Sequence, residues 1–237
     1  MNNDFDSLPN VVGEGRRVIN NLQRTSALFL TKTIFAFVST LVFLITMATI
    51  NVSYPFHATH FQLWSLINIG LSSFFLALER NKEPVKGSFA KSIFRKAIPG
   101  AFTLLIPVAL IYMLYIFQVN HVLYTGVYEF EAATTMSVIT FTILGLVVLL
   151  KISLPLNTYR SVVFASAATV EVGLLVAAAF VSYNIGVKES IIAINFPSLT
   201  LVNWFVVAII IVLTVTIYLI VSYIFEILRG EHLNVKN

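Results

Sequence analysis

The sequence predicts an all-α, polytopic membrane protein: six transmembrane helices paired into three hairpins, the first extended as a cytoplasmic stalk. Three observations predict it. Hydrophobic residues make up 58% of the 237-residue chain and charged residues only 11%, against about 25% charged in an ordinary soluble domain. Apolar runs of about 20 residues, the length that crosses a bilayer, recur six times. The Lys and Arg residues gather in alternate connections between those runs.

The spans are predicted at 27–50, 60–79, 98–118, 133–151, 161–183 and 201–226, within a membrane domain at 27–228. Residues 1–26 form a cytoplasmic N-terminal segment and stalk, and 229–237 a cytoplasmic tail. Helix is the state expected of every span, because lipid offers no partner to an exposed backbone group. The first run is too long, and its leader too polar, for a signal peptide. Of the fifteen Lys and Arg, only Lys188 falls on the outer side. This places both termini in the cytoplasm of a multi-pass protein of the cell membrane. Tyr54, Tyr124, Tyr128 and Trp204 suit the outer aromatic belt.

The first helix outgrows the membrane. No Pro lies between Asn10 and Tyr54, and no Gly follows Gly15 before that point. Asp6 or Ser7 can cap its start, with Pro9 in the first turn. Residues 16–50 alone would run about 52 Å, against a hydrocarbon core of about 30 Å. A polar rod of that length implies a catalytic body for it to connect to. In the inner connection 80–97, Phe89-Ala-Lys-Ser-Ile-Phe-Arg-Lys reads as a short amphipathic helix on the anionic leaflet.

Several function classes fall away. Without Cys there is no disulfide framework, thiol nucleophile or Cys metal site. The net charge of +4 sits in short inter-span runs, so no nucleic-acid partner is expected. Gly13-Glu-Gly15 lacks the strand, the further Gly and the Lys of a phosphate loop. His57, His60, His121 and His232 have no shared metal-ligand face. No catalytic residue is assigned. Glu171 is the sharpest signal. A carboxylate in mid-span is costly and faces the protein interior, either as a cation or proton ligand or as a protonated acid bonded to a neighbouring helix. Lys32 is expected to snorkel to the inner boundary. Glu129 and Glu131 read as a solvated outer pair.

The stretch from Asp4 to Phe35, with Glu14-Gly-Arg-Arg-Val-Ile-Asn-Asn at its centre, resembles a P-type cation-transporting ATPase. So do Ile69-Gly-Leu-Ser-Ser-Phe-Phe-Leu-Ala-Leu-Glu-Arg-Asn and Gly87 to Gly100, ending Arg95-Lys-Ala-Ile-Pro-Gly. In that bacterial family these stretches are the stalk with the fifth membrane helix, the end of the sixth and the entry to the seventh. The resemblance covers residues 4 to about 105, and implies that the six spans correspond to the fifth through tenth helices of a pump. The family's DKTGT, TGES and GDGxND motifs are absent. The resemblance therefore implies a membrane-domain fragment that contributes a cation pathway and does not hydrolyse ATP by itself. It binds no cofactor of its own; ATP and Mg2+ belong to the complete pump, as do the actuator, phosphorylation and nucleotide-binding domains that would be its partners, with an inorganic cation and the lipid bilayer. A truncated, split or fragmentary gene would yield such a chain.

The calcium-pump carboxylates are not carried over: by this resemblance Ala36 and Ile69 stand at the acidic positions of the fifth and sixth helices. The second span offers Asn68, an amide oxygen beside Gly70, and Ser72 as ion-pathway candidates with Glu171. Helix packing is the alternative for each. Thr33, Ser39 and Thr40 of the first span are expected to pack or to bond back to the previous turn. Two other readings stay open: an independent six-helix secondary transporter, proton-coupled through Glu171, and a non-catalytic membrane subunit.

Overall fold

The computed structural model describes residues 8–54, 56–85, 87–119, 130–184 and 194–227. Asp6, Ser7, His121, Tyr124, Tyr128, Glu129, Lys188 and His232 lie outside them.

Helix α1 (Leu8–Ile50) runs unbroken for 43 residues, about 65 Å at 1.5 Å per residue. Nothing in its interior interrupts the hydrogen-bond ladder. It stops at Asn51, whose φ of 55° is left-handed and whose N–H bonds the Met47 carbonyl at 3.1 Å. Asparagine tolerates that conformation better than other non-glycine residues, which suits it to close a helix.

The second predicted span is segmented. It comprises α2 (Ala58–Trp64), a π-helical stretch (Ser65–Leu71) and α3 (Ser72–Ala77). Ser72 holds the wide turn together: its hydroxyl donates to the Ile67 carbonyl at 2.9 Å, five residues back, and its N–H turns toward the same oxygen. Long π stretches are rare and concentrate at functional sites.

The other elements are α4 (Phe89–Val119), α5 (Phe130–Ser153), α6 (Thr158–Asn184), a 3-10 turn (Phe196–Ser198) and α7 (Leu201–Ile227). Among the described residues, five helices, α1 and α4 to α7, are long and apolar enough to cross a membrane. The predicted surface helix at 89–96 is instead the first two turns of α4, whose backbone stays helical through Pro99 and Gly100 into the span. Pro99 and Pro107 lie inside α4, a placement that membrane helices accommodate through neighbouring helices.

Helix α5 is the hub. It is apolar all round and buried over most of its length, as expected of a helix enclosed by others. It packs on α1, α4, α6, α7 and the π stretch. Small residues permit close approach: a Cβ on Gly100 of α4 would lie 3.1 Å from Val148 of α5 and 3.2 Å from Thr31 of α1. The outward faces carry bare aromatics and aliphatics such as Phe37, Phe180, Phe205 and Val212. Such a surface suits lipid. This is a polytopic all-α membrane protein.

Tyr54 does not stand free in an aromatic belt. It packs edge-on against Phe43 with ring centres 5.4 Å apart, and its hydroxyl lies 3.4 Å from Ser39 Oγ.

Candidate functional site

Glu171 is 3% exposed in the middle of α6. Its Oε2 accepts a hydrogen bond from Asn68 Nδ2 at 3.3 Å. Asn68 belongs to the π stretch, so two of the three ion-pathway candidates, 103 residues apart in sequence, meet between the second span and α6. The other carboxyl oxygen, Oε1, has no hydrogen-bond partner among the described residues, and neither has Trp64 Nε1. Both residues line a cavity of about 40 Å³ with His60, Thr142 and Leu174. That is room for one or two waters or a small ion. An unpaired carboxylate oxygen beside such a space is chemically a cation or proton acceptor.

Gly145 of α5 sets the third wall. A Cβ there would stand 2.2 Å from Trp64 Nε1 and 2.8 Å from Asn68 Nδ2. Trp64 has little room to retreat, since its ring packs 4.5 Å from that of Phe141. Gly145→Ala gains about 1 kcal/mol of helix propensity, but overpacking costs about 1–3 kcal/mol. The clash wins because the contact is far inside van der Waals distance. We expect a lower unfolding midpoint in detergent, with Asn68 displaced from Glu171. An unchanged midpoint would mean that the Trp64–Gly145 contact is looser than described.

Ser72 is placed differently from its two fellow candidates. Its hydroxyl is spent on the Ile67 carbonyl, so it shapes the π turn. Lys32 does not snorkel: its ammonium donates to Ser65 Oγ at 2.5 Å, at the head of the π stretch. The reason is geometric. Asn21 marks the level at which the second span ends, and Lys32 lies eleven residues further in, about 16 Å along α1, too deep for a head-group contact. Thr33 and Ser39 donate to the carbonyls of Phe29 and Ala36 in the turn before. Glu131 accepts from Asn195 Nδ2 at 2.5 Å. His57 donates its backbone N–H to His60 Nδ1 at 3.2 Å. Among the described residues no three His, Cys, Asp or Glu gather to hold a metal.

A second polar assembly, not anticipated from sequence, sits where the stalk leaves the bundle. Glu79, just beyond α3, accepts from Arg24 of α1 at 2.8 Å, from Arg160 of α6 at 2.8 and 2.9 Å and from Asn157 at 2.7 Å. All three charged side chains are at least nine-tenths buried. Asn21 adds bonds to the Ala77 and Glu79 carbonyls at 2.9 and 2.7 Å. Asn20 bonds the Glu83 carbonyl at 2.8 Å, and Glu14 meets Lys82 at 3.0 Å. Charged residues at the edges of apolar runs were the available signal, but their partners lie 55 and 81 positions away.

Burial pushes the Glu79 carboxyl up, but the hydrogen bonds from Arg160 and Asn157 and the charges of Arg160 and Arg24 outweigh it. Glu79 therefore titrates below the usual carboxylate value. The unfolded chain then takes up the proton first as pH falls. The stabilisation is complete above the unfolded value of about 4.3 and is lost as pH drops through the lower folded value. Stability in detergent should thus decline only on the acid side of about pH 4, and Glu79→Gln should remove that decline. A profile identical in the two proteins would contradict the assignment.

No protein-family model matches this chain, and no solved structure matches it. Characterised relatives do. Over 170 residues it is 34% identical to the calcium-transporting ATPase CtpE of Mycobacterium tuberculosis (strain CDC 1551 / Oshkosh), a match covering 68% of this chain and 20% of that protein. The chain is a homologue of the bacterial cation-transporting P-type ATPases. The CtpE protein of Mycolicibacterium smegmatis is 36% identical over 106 residues, 42% of this chain and 13% of that protein. The probable cation-transporting ATPase exp7 of Streptococcus pneumoniae serotype 4 is 30% identical over 118 residues, 48% of this chain and 15% of that protein. The chain spans about a fifth of the length of the first of these relatives. In this P-type ATPase homologue the two stretches at 14–21 and 69–81 meet through Asn21, which bonds the Ala77 and Glu79 carbonyls, while Glu14 and Asn20 hold Lys82 and the Glu83 carbonyl just beyond.

Proposed function

We propose that this chain is the membrane-domain segment of an ATP-driven cation transporter, with Glu171 and Asn68 supplying oxygens to the translocation pathway. The observation that carries the reading is the buried Glu171 carboxylate, one oxygen unpaired, beside a π-helical break in the neighbouring span. Its terminal segments lie in the cytoplasm of the cell membrane, in keeping with the Lys and Arg partition. Calcium is the first ion to test, since CtpE is named a calcium-transporting ATPase. Calcium takes six to eight oxygens, so Glu171 and Asn68 are part of a shell that further oxygens complete. Lys32 at the head of the π stretch is a fixed cation close to the path. ATP and Mg2+ act on phosphorylation and nucleotide-binding domains that meet the stalk at 8–26, and the Glu79 assembly passes stalk movement to α3 and α6 together.

A chimera tests this: residues 8–227 replace the matching segment of the M. tuberculosis relative, and ATP-driven cation uptake is measured in inverted vesicles. The chimera should take up a cation, and the chain alone should form no phosphoenzyme with labelled ATP. Correct insertion without transport of any cation would refute the proposal. Cation flux by the isolated chain under a proton gradient, without ATP, would establish the secondary-transporter reading instead.

A further inference from the structure

The basic stretch at the start of α4 is not used by the pathway, and its surroundings are unusual. Arg95 and Lys96 line a cavity of about 470 Å³ that Lys151 at the end of α5 and Ser222 and Glu226 near the end of α7 complete. Among the described residues, the charges facing it are three cations and one carboxylate, and that carboxylate is engaged by Lys151 at 3.0 Å. The cavity is therefore net positive. It continues into a second space of about 260 Å³ running along α4 and α7. This one is walled by Ile98, Phe102 and Ile106, one face of α4, and by Ile217, Val221 and Phe225 of α7. The two spaces share Tyr218 and Phe225. The groove runs about 12 Å along α4, directed from the basic end into the apolar zone.

A cationic chamber opening onto an apolar groove at a membrane boundary has the charge and polarity of one ligand class. We propose that it is a binding site for an anionic phospholipid of the leaflet on the stalk side. The phosphate sits with Arg95, Lys96 and Lys151, and one acyl chain lies in the groove between α4 and α7. Basic pockets between spans bind acidic head groups in this manner. A zwitterionic lipid would bring its quaternary ammonium toward three cations, with the Glu226 carboxylate already paired. A free phosphate would use the chamber and leave the groove unfilled. The lipid would join the ends of α4, α5 and α7, which the chamber holds apart.

The test uses the full chain in a non-ionic detergent, equilibrated with phosphatidylglycerol and phosphatidylcholine, with retained lipid weighed by native mass spectrometry. One phosphatidylglycerol should be retained at least about tenfold over phosphatidylcholine, given roughly fivefold per basic group. Arg95→Gln/Lys96→Gln should reduce its retention by about tenfold or more. Ile106→Trp fills the groove and leaves every charge in place; it too should lower retention. Excess inorganic phosphate should not displace the lipid, whereas high salt should. Equal retention of the two lipids, or full retention by the Gln pair, overturns the proposal. Displacement by inorganic phosphate together with full retention by the Trp variant shows a phosphate site and also overturns it. If the Gln pair fails to fold, the Trp variant and the salt series decide.

Discussion

Glu171→Gln should abolish cation uptake by the chimera that carries this segment, while the bundle stays folded. The substitution separates ligand from structural glue. A Gln carbonyl oxygen accepts the Asn68 Nδ2 hydrogen bond as the carboxylate does, so packing between the second span and α6 survives. What disappears is the negative charge and the unpaired oxygen facing the 40 Å³ cavity. Cation affinity follows the number of charged ligands, so a loss of about 100-fold or more is expected. The chain alone offers a direct reading. A carbodiimide that attacks membrane-embedded carboxyls should label Glu171, the label should vanish in the Gln variant, and millimolar calcium should protect. Undiminished uptake by the Gln variant would leave Glu171 as a helix-packing group and remove the main support for the pathway.

Glu79→Gln should cost about 3–5 kcal/mol of stability, because it strands two buried guanidinium groups without a counter-charge. This is the largest structural effect expected in the molecule. The pair of arginines was desolvated on the strength of one carboxylate, and a neutral amide cannot replace it. The converse substitution sharpens the point. Changing Arg24, Glu79 and Arg160 together to apolar residues of similar volume should be close to neutral or stabilising, since the desolvation cost disappears with the charges. Unfolding in detergent measures both. If the triple variant is stable yet transport is lost, the assembly serves coupling between α1, α3 and α6. A Glu79→Gln protein as stable as the parent would show that the arginines are solvated after all.

Much of the architecture is legible along the chain because lipid imposes a local rule: a run of about 20 apolar residues has one viable backbone state. The stalk was legible for the same kind of reason, since no breaker interrupts the run to Ile50. The segmented second span was only partly so. Asn68 and Gly70 marked a weak point, but a seven-residue π stretch depends on the Ser72 hydroxyl reaching the Ile67 carbonyl, a choice that spacing does not announce. Lys32 misled, because a lysine near the start of an apolar run reads as a boundary residue. Its depth is set by where Asn21 meets the end of the second span.

By itself, the sequence determined the solvent, the helical state and the presence of a carboxylate, Glu171, in the middle of an apolar span, all of which follow from composition within a single span. Only the tertiary structure decided what that carboxylate touches, that Gly145 must be small and that Glu79 binds two arginines, one 55 positions before it and one 81 after. Those facts rest on contacts between residues 55 to 103 positions apart. Apolar patterning brings spans into the same bilayer, but steric fit and the pairing of desolvated charges choose which side chains meet.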